Sequence, residues 1–323
     1  MMEPFSTYSP KVIRTLFSGK KVSPFLDFSI EGLKKSDAAQ AAGRLSVSGG
    51  QEKFPAVIDK GVIRLAKDDE RSTHILKPAP WDETIAARRH IPANEHLTMQ
   101  IASQVYGITT ADNGLCFSTD GQVVYITRRF DILPDGSKAE MEDFASVLGR
   151  RESEGGLNFK YSGCYEDLAD GIKKHVVAWM VDMERFLDLV VFNYIYGNGD
   201  AHLKNFSLIR SGEDYRLAPA YDLLNTSLHV NGDDFGLDGG LSRHMFMSDI
   251  YDKTGHPCRK DFETFGTLIG LRESRVKKLL DRYTVLPDAS VTLVGQSLLP
   301  EKYKRLYLRI VKERTARFSR LSE

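Results

Sequence analysis

The 323-residue sequence predicts a mixed α/β (α+β) protein in two lobes, a small β-rich one over residues 1–130 and a mainly helical one over 131–323. Three observations point there. Up to about residue 127, apolar residues come in short alternating runs parted by Gly-containing turns, the period of half-buried strands. Beyond about residue 140 they recur at helical spacing. A single strand-turn-strand unit, over residues 206–218, interrupts that helical region. The chain is long enough for one large core or for two lobes packed together.

Taken in order, runs 54–58 and 61–65 alternate around Asp59-Lys60-Gly61, which predicts a hairpin. Residues 73–77 form a third apolar run, ended by Pro78. A helix is expected over 93–106, with Leu97, Ile101, Ala102 and Val105 on one stripe and Gly107 as its stop. Runs 115–118 and 123–127 then pair across Asp120-Gly121. Next come a short helix over 141–148 and a strongly apolar one over 183–196, where Met183, Phe186, Leu187, Val190, Val191 and Tyr194 share a broad face. Further helices are expected over 261–269, 273–283 and 299–321. Segments 150–163 and 231–243, rich in glycine and polar residues, are expected to be exposed loops. The lobes should meet near 127–133.

Composition is that of a globular protein, 41% hydrophobic and 27% charged. The 44 basic and 44 acidic residues cancel, so no global electrostatic footprint for nucleic acid or an anionic membrane is present. The basic run 302–320 reads as a solvated helix face. Cys116, Cys164 and Cys258 are odd in number and far apart, which argues against a disulfide framework or a structural zinc site. The start lacks a basic region followed by an apolar one. The most apolar segment, 186–196, is short and carries Asp188 and Asn193. Neither a signal peptide nor a membrane span is expected, and the expected compartment is the cytoplasm.

The chemistry concentrates in Asn198-Gly199-Asp200-Ala201-His202-Leu203-Lys204-Asn205, where Asp200 stands five positions before Asn205. Asp222 follows a hairpin expected from strands 206–210 and 215–218 around a turn at 211–214. Protein kinases space their catalytic base and a metal-binding Asn in this way, with a second metal-binding Asp beyond the hairpin. Asp200 would then take the proton of a substrate hydroxyl. Asn205 and Asp222 would hold Mg²⁺, which completes its shell with phosphates and water.

Further parts precede these in the order a kinase needs. In Ser46-Val47-Ser48-Gly49-Gly50-Gln51-Glu52-Lys53 the adjacent glycines would let backbone N–H groups approach phosphate oxygens, although the spacing is not that of a Walker A loop. Lys77 ends a strand and Glu95 opens a helix, the pairing with which kinases hold the α- and β-phosphates. Each part alone also has a plain reading, a surface turn and a surface ion pair. Backbone groups of Thr127-Arg128-Arg129-Phe130-Asp131 could meet an adenine edge, with Phe130 either walling the base or packing in the core. His202 could join Asp200 as a hydrolase metal pair, but no second cluster of ligand spacing supports that, which favours a packing or hydrogen-bonding role.

These stretches together resemble the HipA family of bacterial toxin serine/threonine kinases. The matching residues are 46–53, Ile75-Leu76-Lys77-Pro78, Asn94-Glu95-His96, Arg128-Arg129-Phe130-Asp131, 198–207 and 217–224, in the family's order. The resemblance implies a two-lobed protein-kinase-like fold and ATP and Mg²⁺ as cofactors. It implies nucleotide contacts from Ser48, Gly49, Gly50, Gln51, Lys53, Lys77, Glu95, Arg128, Phe130 and His202. It also implies autophosphorylation of a loop serine, Ser46 or Ser48, that silences the enzyme, and an aminoacyl-tRNA synthetase as protein substrate. Only 45 residues precede Ser46, which resembles the shorter HipT type. In that type the missing N-terminal subdomain is a separate protein, HipS, acting with the DNA-binding HipB. HipS-like and HipB-like antitoxins are therefore the expected partners, with no direct nucleic-acid or membrane binding. Two rival expectations remain: a nucleotide-binding pseudokinase that holds an antitoxin, and a metal hydrolase built on Asp200 and His202.

Overall fold

The computed structural model describes residues 6–35, 51–244 and 248–320. Two short helices open it, α1 (Pro10–Thr15) and α2 (Ile30–Lys34). Each starts at a serine, Ser9 or Ser29, whose hydroxyl accepts a backbone N–H of the first turn. Five strands follow, β1 (Phe54–Asp59), β2 (Val62–Leu65), β3 (His74–Lys77), β4 (Asn113–Phe117) and β5 (Val123–Arg128), with α3 (Ile91–Gln104) between β3 and β4. They form one antiparallel sheet in the order β2-β1-β3-β5-β4.

Alternation along the strands gives the sheet two distinct faces. One buries Leu76, Val124 and Ile126 against Leu16, Phe17 and Leu26 of the N-terminal segment. Tyr8 ties that segment down by donating its hydroxyl to the Leu115 carbonyl at 2.9 Å. The other face sets Leu115 and Tyr125 against Leu97, Ile101 and Ala102 of α3. Lys77 pairs in register with Tyr125, so it belongs to this second face and points toward the helix.

The rest is mainly helical. A small sheet, β6 (Met141–Asp143), β7 (Ser207–Ser211) and β8 (Asp214–Leu217), sits among α4 (Phe144–Val147), α5 (Glu152–Gly155), α6 (Tyr165–His175) and α7 (Trp179–Ile195). Helices α8 (Asp249–Thr254), α9 (Arg259–Leu268), α10 (Glu273–Leu280), α11 (Asp288–Gln296) and α12 (Glu301–Phe318) complete it. The α7 face expected from the periodicity, Met183 to Tyr194, is fully buried. The larger core runs without a break from α3 and β4–β5 into these helices, through the expected lobe junction. No helix among the described residues is long and apolar enough to cross a membrane.

Four expectations need correction. Residues 141–148 begin as a strand, because β6 finds β7 as a partner before α4 starts. Segment 150–163 is exposed over 150–158, as expected, but is not loop throughout. It holds α5 and the 3-10 turn Gly156–Tyr161, with Phe159 and Lys160 buried. Segment 231–243 buries Gly236, Leu237 and Leu241. A Cβ on Gly236 would overlap the Ala201 backbone, so glycine is what lets this segment lie directly on the turn after Asp200. Nor is the basic run 302–320 solvated throughout. Arg314 is buried, donating to the Tyr194 carbonyl at 3.0 Å and pairing with Asp234 at 3.2 Å.

Candidate active site

Lys77, Glu95 and Asp222 meet at one point. The Lys77 ammonium lies 2.6 Å from Glu95 Oε1 and also donates to Asp222 Oδ1. It sits 5.2 Å from the Tyr125 ring centre, the neighbour that the strand register provides. Lys53, at the entry to β1, donates to the other oxygen, Asp222 Oδ2, at 3.2 Å. Burial alone would raise the Asp222 carboxyl, but Lys53 and Lys77 outweigh it and hold it well below the usual carboxylate range. Burial would likewise lower the Lys77 ammonium, and Asp222 and Glu95 reverse that, so it is firmly charged. The Glu95 carboxyl is pushed upward by burial, with Lys77 opposing. Asp222 holds a left-handed backbone at φ 56°. For a residue other than glycine this conformation is worth about 1–3 kcal/mol of strain, which Asp tolerates better than most and which gathers at functional sites.

The hairpin β7–β8 brings Asn205 beside Asp222. Asn205 Nδ2 lies 3.4 Å from Asp222 Oδ2, and its Oδ1 accepts the His202 N–H at 3.1 Å. Tyr221 staples this unit, since its hydroxyl donates to the Lys204 carbonyl at 2.9 Å and shares a hydrogen bond with Ser207 Oγ at 2.6 Å. Asp200 is exposed. The protein around it pushes its carboxyl upward, opposed by the Tyr161 hydroxyl, a 2.9 Å donor to Oδ1, and by Lys160. Water on its open side limits that push. His202 is buried, and burial first, then Lys160, brings its imidazole down to about 3, so the ring is neutral at ordinary pH. Its Nδ1 is a buried atom with no hydrogen-bond partner among the described residues. Among those residues no group of three or more His, Cys, Asp or Glu could hold a metal ion, so a protein-only cage of the hydrolase type is not formed there.

A family model described as the HipA-like C-terminal domain matches residues 45–289, well over half of the chain. The chain belongs to this family. Among its relatives, a protein of Haemophilus influenzae with a provisional kinase name is 25% identical over 99% of this chain and 95% of its own length. A provisional kinase of Sinorhizobium fredii is 33% identical over 58% of the chain and 44% of its own length. The serine/threonine-protein kinase toxin HipA of Shewanella oneidensis is 26% identical, again over 58% of the chain and 44% of the relative. The chain thus spans less than half the length of these last two. The solved Shewanella HipA, in complex with HipB and its operator DNA, shares the fold with a TM-score of 0.63 at 19% identity, over 83% of this chain and 63% of that one. The Helicobacter pylori proinflammatory kinase CtkA shares it at 0.51 and 17% identity, over 82% and 93%. A mixed α/β fold with a curled sheet and a helical region is common to all three.

In this HipA-like frame the sequence-derived residues separate into three groups. Lys53, Lys77, Glu95, Asp222 and Asn205 form one connected cluster, with Asp200 and His202 on the adjoining turn. Arg128 stands apart from it, donating to the Thr15 carbonyl at 3.0 Å and so fastening the N-terminal segment to β5. Its long side chain finds a carbonyl on the far face of the sheet, so the expected nucleotide contact would have to come from the Arg128 backbone. Phe130 is half-buried, 5.8 Å from the Tyr221 ring and against Ala139, Ile209 and Ala218, a packing that leaves both of its readings open. Gln51 donates to the Pro78 carbonyl, next to Lys77. Ser46, Ser48, Gly49 and Gly50 lie outside the described residues. Tyr161 and Lys160, which touch Asp200 and its surroundings, were not expected. The signal available was the apolar-basic-aromatic triplet Phe159-Lys160-Tyr161 inside an otherwise Gly- and Glu-rich stretch.

Proposed function

We propose that this chain is an ATP- and Mg²⁺-dependent serine/threonine protein kinase and the toxin component of a bacterial toxin-antitoxin system. The observation that carries the reading is the convergence of Lys77, Glu95, Asn205 and Asp222 beside the exposed carboxylate of Asp200. A buried lysine held by a helix glutamate is the phosphate clamp of kinases, and an open aspartate is the group that can reach a protein hydroxyl. Lys53 and Lys77 already place two positive charges on Asp222, so its carboxylate faces a place built to hold cations. Asn205 and Asp222 would hold Mg²⁺, which would offset charge on the transferring phosphoryl group. Asp200 would orient the acceptor hydroxyl and take its proton.

The name of the Shewanella relative and the HipB complex of its structure support a toxin role with a HipB-like DNA-binding partner. The proposed substrate is an aminoacyl-tRNA synthetase, and Ser46 or Ser48 is proposed as the self-modified residue. Intact-mass spectrometry after incubation with ATP and Mg²⁺ should map added phosphate to one of them; none on either would remove self-regulation from the reading. Asp200→Asn should abolish transfer while ATP still binds, and undiminished transfer by that variant would sink the kinase assignment. A second reading, a nucleotide-binding pseudokinase that holds an antitoxin, draws on the engagement of both Asp222 oxygens by lysines. It expects calorimetric ATP binding with no labelled phosphate on the chain or on lysate proteins.

A further inference from the structure

Lys160 and Tyr161 have no role in the reading above, yet they sit on its base. They close the 3-10 turn Gly156–Tyr161 that leads into α6. The Tyr161 hydroxyl donates to Asp200 Oδ1 at 2.9 Å. Its ring stands edge-on to His202, with centroids 5.2 Å apart and 75° between the planes. The Lys160 ammonium lies 4.8 Å from the ring centre, and the Tyr161 carbonyl accepts the Asp238 N–H at 3.0 Å. Hydroxyl, ring and backbone are thus all fixed. Asp200, by contrast, is exposed, and an exposed carboxylate samples several rotamers unless something holds it. A general base works only when aimed at the proton it removes.

We infer that Tyr161 is a positioning residue for phosphoryl transfer, whose hydroxyl holds the Asp200 carboxylate through Oδ1 and so turns Oδ2 toward the acceptor hydroxyl. The inference rests on the kinase reading. In the step it serves, the acceptor oxygen bonds the γ-phosphorus, the bond to the β–γ bridging oxygen breaks to leave ADP, and the acceptor proton passes to Asp200. Tyr161 neither gives nor takes a proton. Lys160 on its ring adds positive charge to the same side of the site. A hydroxyl 2.9 Å from the base could instead be a plug or an acceptor in its own right. The clamped ring argues against both, since either role needs it to move.

The test compares the full-length chain with Tyr161→Phe and Asp200→Asn, using γ-labelled ATP, Mg²⁺ and myelin basic protein as a generic acceptor. For Tyr161→Phe, kcat should fall about tenfold while KM for ATP stays within about twofold, the split expected when an interaction serves the transfer step and not nucleotide binding. The acidic limb of the kcat profile should also move to higher pH, because a hydrogen bond to the ionised carboxylate is lost. Lys160, Lys53 and Asp222 face Asp200 as well and are unchanged in the variant, and His202 remains neutral. ATP affinity by calorimetry shows that the variant is folded. An unchanged kcat and limb, a rise in transfer, or labelled phosphate on Tyr161 itself would each overturn the inference. Inactive wild type would remove the kinase reading and this inference together, whereas active wild type with an unchanged variant removes the inference alone.

Discussion

Lys77 is the most constrained residue of the site, buried between Glu95 and Asp222 with one carboxylate on each side. Removing one partner of a buried ion pair is more damaging than replacing both, because the remaining charge keeps its desolvation penalty. Glu95 is only 1% exposed, so Lys77→Met should destabilise the chain by about 3–5 kcal/mol and abolish ATP binding. Adding Glu95→Gln removes the stranded carboxyl, so the double variant should regain part of the stability but none of the ATP binding. Urea unfolding with calorimetry checks both, and a double variant no more stable than the single would contradict the pairing. Asn205 and Asp222, proposed above as the metal donors, by contrast flank a hairpin that the sequence already displays. What remained hidden at this scale was Tyr161, since a phenol contributes nothing to spacing motifs and reaches Asp200 only through the tertiary path of the turn before α6.

The elements are coupled by a buried polar link between α3 and the segment after Asp222. Asn94 Nδ2 donates to the Asn225 carbonyl at 2.9 Å, Asn94 Oδ1 accepts the Asn225 N–H at 3.1 Å, and Nδ2 also meets His229 Nε2 at 2.9 Å. The helix that carries Glu95 is thereby tied to the chain that carries Asp222. Asn94→Ala should leave those buried backbone groups unpaired, lower stability by about 2–4 kcal/mol and reduce transfer without touching nucleotide. Wild-type stability in that variant, read by thermal unfolding, would show the link to be idle. At the same scale Gly236→Ala should displace the turn after Asp200 and lose transfer, whereas Gly295→Ala, which meets nothing within 4 Å, should be silent. Strands β1 to β5, α3, α7 and the β7–β8 hairpin were legible because each shows its period within its own run. Strand β6 was read as helix, since three residues hold no period and only β7 makes them a strand. Helix α6 went unseen behind a Cys N-cap, without the Ser, Thr or Asp that marks a start. Segment 231–243 looked solvated because glycines carry no apolar signal, yet their lack of a Cβ is what permits close backbone packing.

Across the whole molecule burial lowers five described histidines, His90 and His229 among them, and the other three sit at three separate joints. His74 shares a hydrogen bond with the Leu16 carbonyl at 2.9 Å, where the N-terminal segment meets the sheet, and burial brings it down to about 4. His96 meets Asn113 Oδ1 at 2.8 Å, where α3 meets β4, and burial brings it to about 4 as well. His202 lies in the turn after Asp200 at about 3. An unfolded histidine titrates near 6.5. Between that value and the folded ones the unfolded chain binds these protons and the folded chain does not, so stability must fall as pH falls through that window. Each group contributes up to about 1.4 kcal/mol per pH unit, or roughly 4 kcal/mol per unit for the three between about pH 6 and 4. At higher pH the contribution is fully present; His74 and His96 level off near 4 and His202 only near 3, where the Asp222 carboxyl, held low by its lysines, is still ionised. Urea midpoints measured from pH 7.5 to 4.5 should therefore drop below about pH 6.5, and His74→Gln should make that drop shallower. An unchanged slope in His74→Gln would contradict the neutral state of its ring, because a flat wild-type profile alone could come from Glu95, Asp188 and Asp200, whose raised carboxyls stabilise the fold as pH falls.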